Sequence, residues 1–164
     1  MTEAAEQVAT RERLGSRSLR AGGATDRIGE MPDEACLYAA MRAPKESHDR
    51  LLREGVAPLV REILGHGDLE SFFFVRYNLP DWQLRFRVLG RSRWIEQTVR
   101  PRVEEAIEPF LRDGTVESVA YGEYEREYER YGGPEGMALA ERIFLHDSVA
   151  CLDLLDAEAR GALK

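Results

Sequence analysis

Three arginines, Arg76, Arg85 and Arg87, stand close together in a chain whose 30 acidic and 23 basic residues give a net charge of -7, and Asp81 is the one acid between the first and the last. Arginines gathered on a strand repel one another unless a carboxylate or another anion lies opposite. Two uses fit such a row: surface salt bridges on a solvated face, or a bidentate grip on a phosphate or carboxylate ligand. A second charged stretch, Glu123 to Gly133, alternates glutamates with tyrosines and arginines and ends in Gly132-Gly133. Its composition suits a solvated strand or a helix start equally, and the glycine pair implies a sharp backbone bend beside Arg130 and Tyr131.

The arginine row needs a hairpin to present it. Phe72 to Tyr77 is aromatic and β-branched, as a pleated, half-buried strand requires. Asn78-Leu79-Pro80-Asp81 supplies turn formers. The strand that follows alternates, with Leu84, Phe86 and Val88 on one face and Gln83, Arg85 and Arg87 on the other. Ala35 to Met41 reads as a short strand before the hairpin and Val116 to Tyr121 as one after it.

Helical spacing fills the gaps between strands. Pro44 and the acids Glu46 and Asp49 open a helix that carries Leu52, Val56, Leu59, Val60 and Ile63 and stops at Gly65, with Gly55 and Pro58 predicting a kink or break. Trp94, Ile95, Val99, Val103, Ile107, Phe110 and Leu111 mark a second helix, with a kink expected at Pro101 and a stop at Asp113-Gly114. A last helix after Pro134 is expected to bury Met137, Ala140, Ile143, Phe144, Ala150, Cys151, Leu154 and Leu155. The order is β-α-β-β-α-β-α: an α+β fold, an antiparallel four-stranded sheet with helices on one face in a ferredoxin-like arrangement. Its other face is left for a partner, a ligand or the final helix. Residues 1–32, rich in Gly, Ser and Arg without periodicity, predict a flexible arm, and 33–164 a single domain.

Bulk properties narrow the function. At 164 residues, 43% hydrophobic and 32% charged, the chain can bury one core. No apolar run approaches the roughly 18 residues that cross a bilayer, and the polar start lacks a secretory pattern, so no membrane association and a cytoplasmic protein are expected. Cys36 and Cys151, and the scattered His48, His66 and His146, lack metal-ligand spacing; the expectation is free buried thiols, with no metal and no cofactor. The acidic balance argues against direct nucleic-acid binding.

Four ordered motifs carry a resemblance. Phe73-Phe74-Val75-Arg76-Tyr77, Leu84-Arg85-Phe86-Arg87, Tyr124-Glu125-Arg126-Glu127-Tyr128-Glu129-Arg130-Tyr131-Gly132-Gly133, and Ala140-Glu-Arg-Ile-Phe144 with Asp147-Ser148 resemble the lantibiotic dehydratase C-terminal domains, found also as separate thiopeptide-type bacteriocin biosynthesis proteins. The likeness runs from about Leu37 to Leu155. It implies elimination of glutamate from glutamylated Ser or Thr of a ribosomally made peptide, giving dehydroalanine or dehydrobutyrine; a second branch of similar proteins joins two dehydroalanines in a cycloaddition that forms a pyridine. A module that only binds precursor peptide is the non-enzymatic alternative.

By that resemblance Arg76, Arg87 and Arg130 surround the glutamyl adduct and Glu127 orients an arginine, with Arg85, Tyr77 and Tyr131 as substrate-binding neighbours. An ion pair that shapes the Gly-Gly turn is the competing role for Glu127 and Arg130. The implied partners are a precursor peptide, a separate glutamyl-tRNA-dependent glutamylation protein, and a second copy of the chain. Gln83 occupies a position where relatives commonly carry His. The family's C-terminal helices and their histidine have no counterpart up to Lys164, so the base is expected from downstream sequence or another subunit, or the domain binds peptide without chemistry.

Overall fold

A computed structural model describes residues 33–162; the arm expected over residues 1–32 lies outside them. Strand β1 (Glu34–Arg42) leads through a 3₁₀ turn, Lys45–Ser47, into a helical rod made of α1 (His48–Leu51), a π turn at Leu52–Val56 and α2 (Ala57–Ile63). The hairpin β2 (Leu69–Tyr77) and β3 (Gln83–Arg91) follows. A second rod has the same construction: α3 (Ser92–Trp94), a π turn at Ile95–Val99, and α4 (Arg100–Arg112). Strand β4 (Ser118–Gly122) and α5 (Pro134–Ala159) complete the order.

The sheet is antiparallel with strand order β2-β3-β1-β4. Placing β3 between β1 and β2 makes a split β-α-β unit, compatible with the expected ferredoxin-like arrangement. Leu37, Ala39 and Met41 of β1, Phe72 of β2, and Leu84, Phe86 and Val88 of β3 point to the helices and are buried. From the rods Leu51, Leu52, Val56, Ile95, Val99 and Val103 meet them.

Neither rod breaks at Pro58 or at Pro101. Each takes a π turn just upstream, ending two residues before Pro58 in one and Pro101 in the other. A proline cannot donate to the carbonyl four residues back and crowds it, and a widened turn relieves that conflict without ending the helix. Gly55 serves close packing instead: a Cβ there would lie 3.0 Å from Phe110 Cε2 of the other rod.

The final helix follows its expected face in part: Met137 and Ala140 are buried and Phe144, Cys151 and Leu155 half-buried, but the other three positions are not. Ile143 and Leu154 are each 57% exposed and Ala150 also faces out, whereas Glu141, Ser148 and Leu152 are buried. The reason is where α5 lies. It runs beside β2, an edge strand with outward backbone groups to satisfy. Ser148 Oγ accepts from the Phe74 amide at 3.2 Å, and Ser71 Oγ donates to the Glu141 carbonyl at 3.4 Å. A helix that caps a strand edge needs small polar groups on its inner face, so apolar periodicity alone misassigns it.

His48 is buried beneath the start of the first rod, its Nε2 3.1 Å from the Ala43 carbonyl, which fixes Nε2 as the protonated nitrogen, while Nδ1 has no partner. Burial lowers its pKa, and Arg76 lowers it further, against opposing effects of the Ala43 carbonyl, Asp49 and Glu46. The folded state therefore holds His48 neutral where the unfolded chain takes up a proton near pH 6.5. Its contribution to stability is complete above that pH and is lost as pH falls below it. Urea midpoints should drop from pH 7.5 to pH 5.5, with a shallower slope in His48→Gln.

Candidate functional site

Strand alternation sorts the predicted arginines onto different faces. In β2, Arg76 shares parity with Phe72 and Phe74 and points toward the helices, where Nη2 donates to Asp49 Oδ1 at 2.5 Å. In β3, Arg85 and Arg87 point the other way. The register lines up Phe73, Arg87, Tyr38 and Gly122 across the four strands, and Val75, Arg85, Ala40 and Ala120 in the next row. Arg76 is thus separated from Arg85 and Arg87 by the thickness of the sheet.

Arg87 sits in an aromatic cage. Its guanidinium carbon lies 4.6 Å from the ring centroid of Tyr38, 5.2 Å from Phe73 and 5.0 Å from Tyr124. Its Nε is buried and has no hydrogen-bond partner, and it forms no ion pair with a carboxylate among the described residues. Burial is the largest influence on it and lowers its pKa from the ordinary guanidinium value, opposed by Tyr38, Tyr124 and Cys36. Guanidinium nonetheless keeps its proton at neutral pH. A half-buried cation held only by ring faces has hydrogen-bonding capacity left for an anion. Arg85, one row along, stacks 3.7 Å from the Tyr77 centroid and donates to Gln83 Oε1 at 3.2 Å.

The cage is closed by the segment between β4 and α5, and its anchor is a pair that the sequence did not single out. Residues 123–130 are two copies of Glu-Tyr-Glu-Arg. The first copy turns inward: Arg126 Nε and Nη2 donate to Glu141 Oε1 and Oε2 at 2.8 and 3.1 Å, a bidentate pair whose Glu141 side chain is 6% exposed. Tyr124 also hydrogen-bonds Glu141, and its ring packs edge-on to Phe73 at 5.7 Å. The second copy faces solvent. Arg130 and Glu127 pair at 3.1 Å with side chains 70% and 57% exposed.

A line of rings still ties that exposed turn to the cage. Tyr131 meets Phe144 at 5.8 Å, and Phe144 meets Phe73 at 5.3 Å. Gly132 and Gly133 have φ of 79° and 95°, left-handed values that require glycine, so the sharp bend beside Arg130 and Tyr131 is present.

Beside the cage is a cleft of about 180 Å³, lined by Glu34, Cys36, Glu70, Leu89, Tyr124 and Arg126, with Ala35. Cys36 is held as a thiol: burial pushes it up to about 12, against the opposing pull of Arg87 and Arg126. Tyr124 is pushed up as well, by burial and then by Glu141. Near neutral pH both are proton donors rather than bases. Glu70 is raised by burial and by Glu34. Arg126 is raised, chiefly by its hydrogen bonds to Glu141. Among the described residues no group of His, Cys, Asp and Glu is arranged to hold a metal ion, and no helix is long and apolar enough to cross a membrane.

Comparison with known proteins places this geometry. The subtilin biosynthesis protein SpaB of Bacillus subtilis is 29% identical over 127 residues, covering 77% of this chain and 12% of that protein. The epidermin biosynthesis protein EpiB of Staphylococcus epidermidis is 20% identical over 115 residues, 70% of this chain and 12% of its own length. The chain therefore spans about an eighth of the length of these relatives. Among solved structures it resembles the tRNA-dependent lantibiotic dehydratase MibB from Microbispora sp. 107891, with a TM-score of 0.68 and 31% identity over 83% of this chain and 13% of that one. The pyridine synthase TbtD from thiomuracin biosynthesis shares the fold at a TM-score of 0.61 and 15% identity, covering 78% of this chain and 50% of TbtD. The family model for the C-terminal part of the lantibiotic biosynthesis dehydratase matches residues 37–163, and the chain belongs to that family.

Proposed function

We propose that this domain eliminates glutamate from glutamylated Ser or Thr in a ribosomally made precursor peptide, leaving a dehydroamino acid. The observation that carries the proposal is Arg87: a cation in an aromatic cage, without a carboxylate partner, on a sheet face that also bears Arg85. Elimination transfers the Cα proton to a base, which is not assigned to a residue of this chain, forms the Cα=Cβ double bond from the C–H electron pair, and breaks the Cβ–O bond. Glutamate leaves as a carboxylate. A guanidinium fixed among ring faces holds a carboxylate without reorganising as charge moves, and a dry surrounding strengthens the interaction.

In this reading Arg87 receives a carboxylate of the adduct, Arg85 on its Tyr77 platform steadies the peptide, and Tyr124 and Cys36 offer protons as hydrogen-bond donors. Arg130 and Glu127, exposed and adjacent to Tyr131, meet the substrate from the far side of the Gly-Gly turn. Arg76 supports the strand from beneath through Asp49. A separate glutamylating protein using glutamyl-tRNA supplies the adduct.

Mass spectrometry of a glutamylated precursor peptide incubated with the chain tests this. Loss of the glutamyl group to leave a dehydrated peptide is expected. An intact glutamyl peptide, even after addition of the partner that glutamylates it, would refute the elimination chemistry; saturable binding without turnover would assign a docking role instead.

A further inference from the structure

We infer that the outward face of α5 is a self-association surface, on which a second copy of this chain packs its own α5 antiparallel about a two-fold axis. The inference is independent of the elimination reading.

The helix is apolar on both sides. Its inner side buries Met137, Ala140 and Leu152, and its outer side carries Leu139, Ile143 and Leu154, each 57% exposed, with exposed Ala150 among them. Leu139 and Ala150, like Ile143 and Leu154, are separated by about three helical turns, so the four fall in one straight stripe. Aliphatic side chains aligned in this way, unlike scattered ones, mark a contact surface.

The stripe is symmetric along its length. Leu139 and Leu154 stand equally far from a midpoint between His146 and Asp147, and so do Ile143 and Ala150. Reversing the helix end for end therefore lays the stripe on itself. Leucine meets leucine at both ends, and isoleucine meets alanine on either side of the midpoint. At the midpoint itself each His146 comes toward Asp147 of the partner subunit, so the polar centre of the stripe is matched as well.

Charge fixes the direction and the occupant. Along one edge of the stripe run Glu135, Arg142, Asp153 and Arg160, all exposed and none in an ion pair among the described residues. They are spaced by about two, three and two turns, which keeps them on that edge. Their order is negative, positive, negative, positive, so a parallel partner would set like charges together. An antiparallel one sets Glu135 against Arg160 of the partner subunit and Arg142 against Asp153 of the partner subunit, and repeats both pairs in reverse. Each pair is displaced from perfect symmetry by about 3 Å along the axis, within reach of an arginine. The surface is thus complementary to itself, which is the requirement of a two-fold interface and names a second copy as the occupant.

Sedimentation velocity on the chain over about 1 to 200 µM tests this, because a single helix pair lies at the small end of the interface range and should give a dissociation constant of roughly tens of micromolar. Ile143→Glu, which puts a charge into the stripe, should leave only monomer. Arg142→Glu should weaken association at least ~10-fold by facing like charges, and Arg142→Glu/Asp153→Arg should return it to within about threefold of the parent chain, because the reversed charges pair again. Circular dichroism checks that each variant keeps its helices, which substitution at exposed positions should spare. A chain that stays monomeric across the range overturns the inference. So does association that Ile143→Glu leaves unchanged, or a double variant no tighter than Arg142→Glu alone, the result expected of a parallel pairing or of a contact elsewhere.

Discussion

Replacing Arg87 by alanine should reduce glutamate elimination about 10²- to 10³-fold, the usual cost of removing one preorganised charge-stabilising donor. Arg87→Lys should recover little of it. A lysine is a compact point charge without the planar fork, and it could neither fill the space between Tyr38, Phe73 and Tyr124 nor hold a carboxylate bidentately. Folding should be spared, because Arg87 forms no ion pair whose partner would be stranded among the described residues and its Nε is already unpartnered. The measurement is the rate of glutamyl loss by mass spectrometry, with urea unfolding as the control. A variant that keeps its stability and its rate would remove Arg87 from the site. Arg76→Ala should behave differently, since Arg76 pairs with Asp49 on the other face of the sheet: its loss should register in stability before it registers in turnover.

Glu141→Ala should destabilise the domain by about 3 kcal/mol, the low end of the range for breaking a buried pair. The low end applies because Arg126, at 27% side-chain exposure, can recover part of its hydration once Glu141, at 6%, is gone. Removing both charges with Glu141→Leu/Arg126→Met should restore most of that stability, since a well-packed apolar pair avoids the desolvation cost. Activity should not return with it. Tyr124 depends on Glu141 for its hydrogen bond and closes one wall of the Arg87 cage, so the double variant folds around a looser cage. Urea unfolding and elimination rate, measured on the same variants, separate these two effects. Equal recovery of both would mean that the pair serves stability alone.

These two residues show what repeated composition conceals. Glu123-Tyr-Glu-Arg126 and Glu127-Tyr-Glu-Arg130 are chemically equivalent in the sequence. Resemblance drew attention to the second copy, while burial distinguishes the first. Which copy faces inward depends on whether an acceptor waits opposite, and Glu141 reaches Arg126 only because α5 is laid along the edge of β2. A contact between positions 15 residues apart, made across a turn with positive φ at Gly132 and Gly133, leaves no local signature.

The sequence by itself determined the order of the elements, the hairpin and the faces of β3, because a strand with one buried face writes its period of two into the choice of residues. It also placed Arg85 and Arg87 together, and their pairing with Tyr77 and the ring cage is consistent with that placement. It could not assign Arg76 to a face, since Phe72, Phe73 and Phe74 are consecutive and the run carries no alternation. Only the tertiary structure decided three things. The helical rods absorb Pro58 and Pro101 through π turns, because packing on the sheet favours a continuous rod over a break. The final helix buries Glu141 and Ser148 in place of Ile143 and Leu154, because Ser148 accepts from the Phe74 amide on the edge of β2 and Glu141 receives Arg126. Glu70 enters the cleft through a one-residue bulge, a change of register set by the pairing of β2 with β3, which neither strand specifies alone.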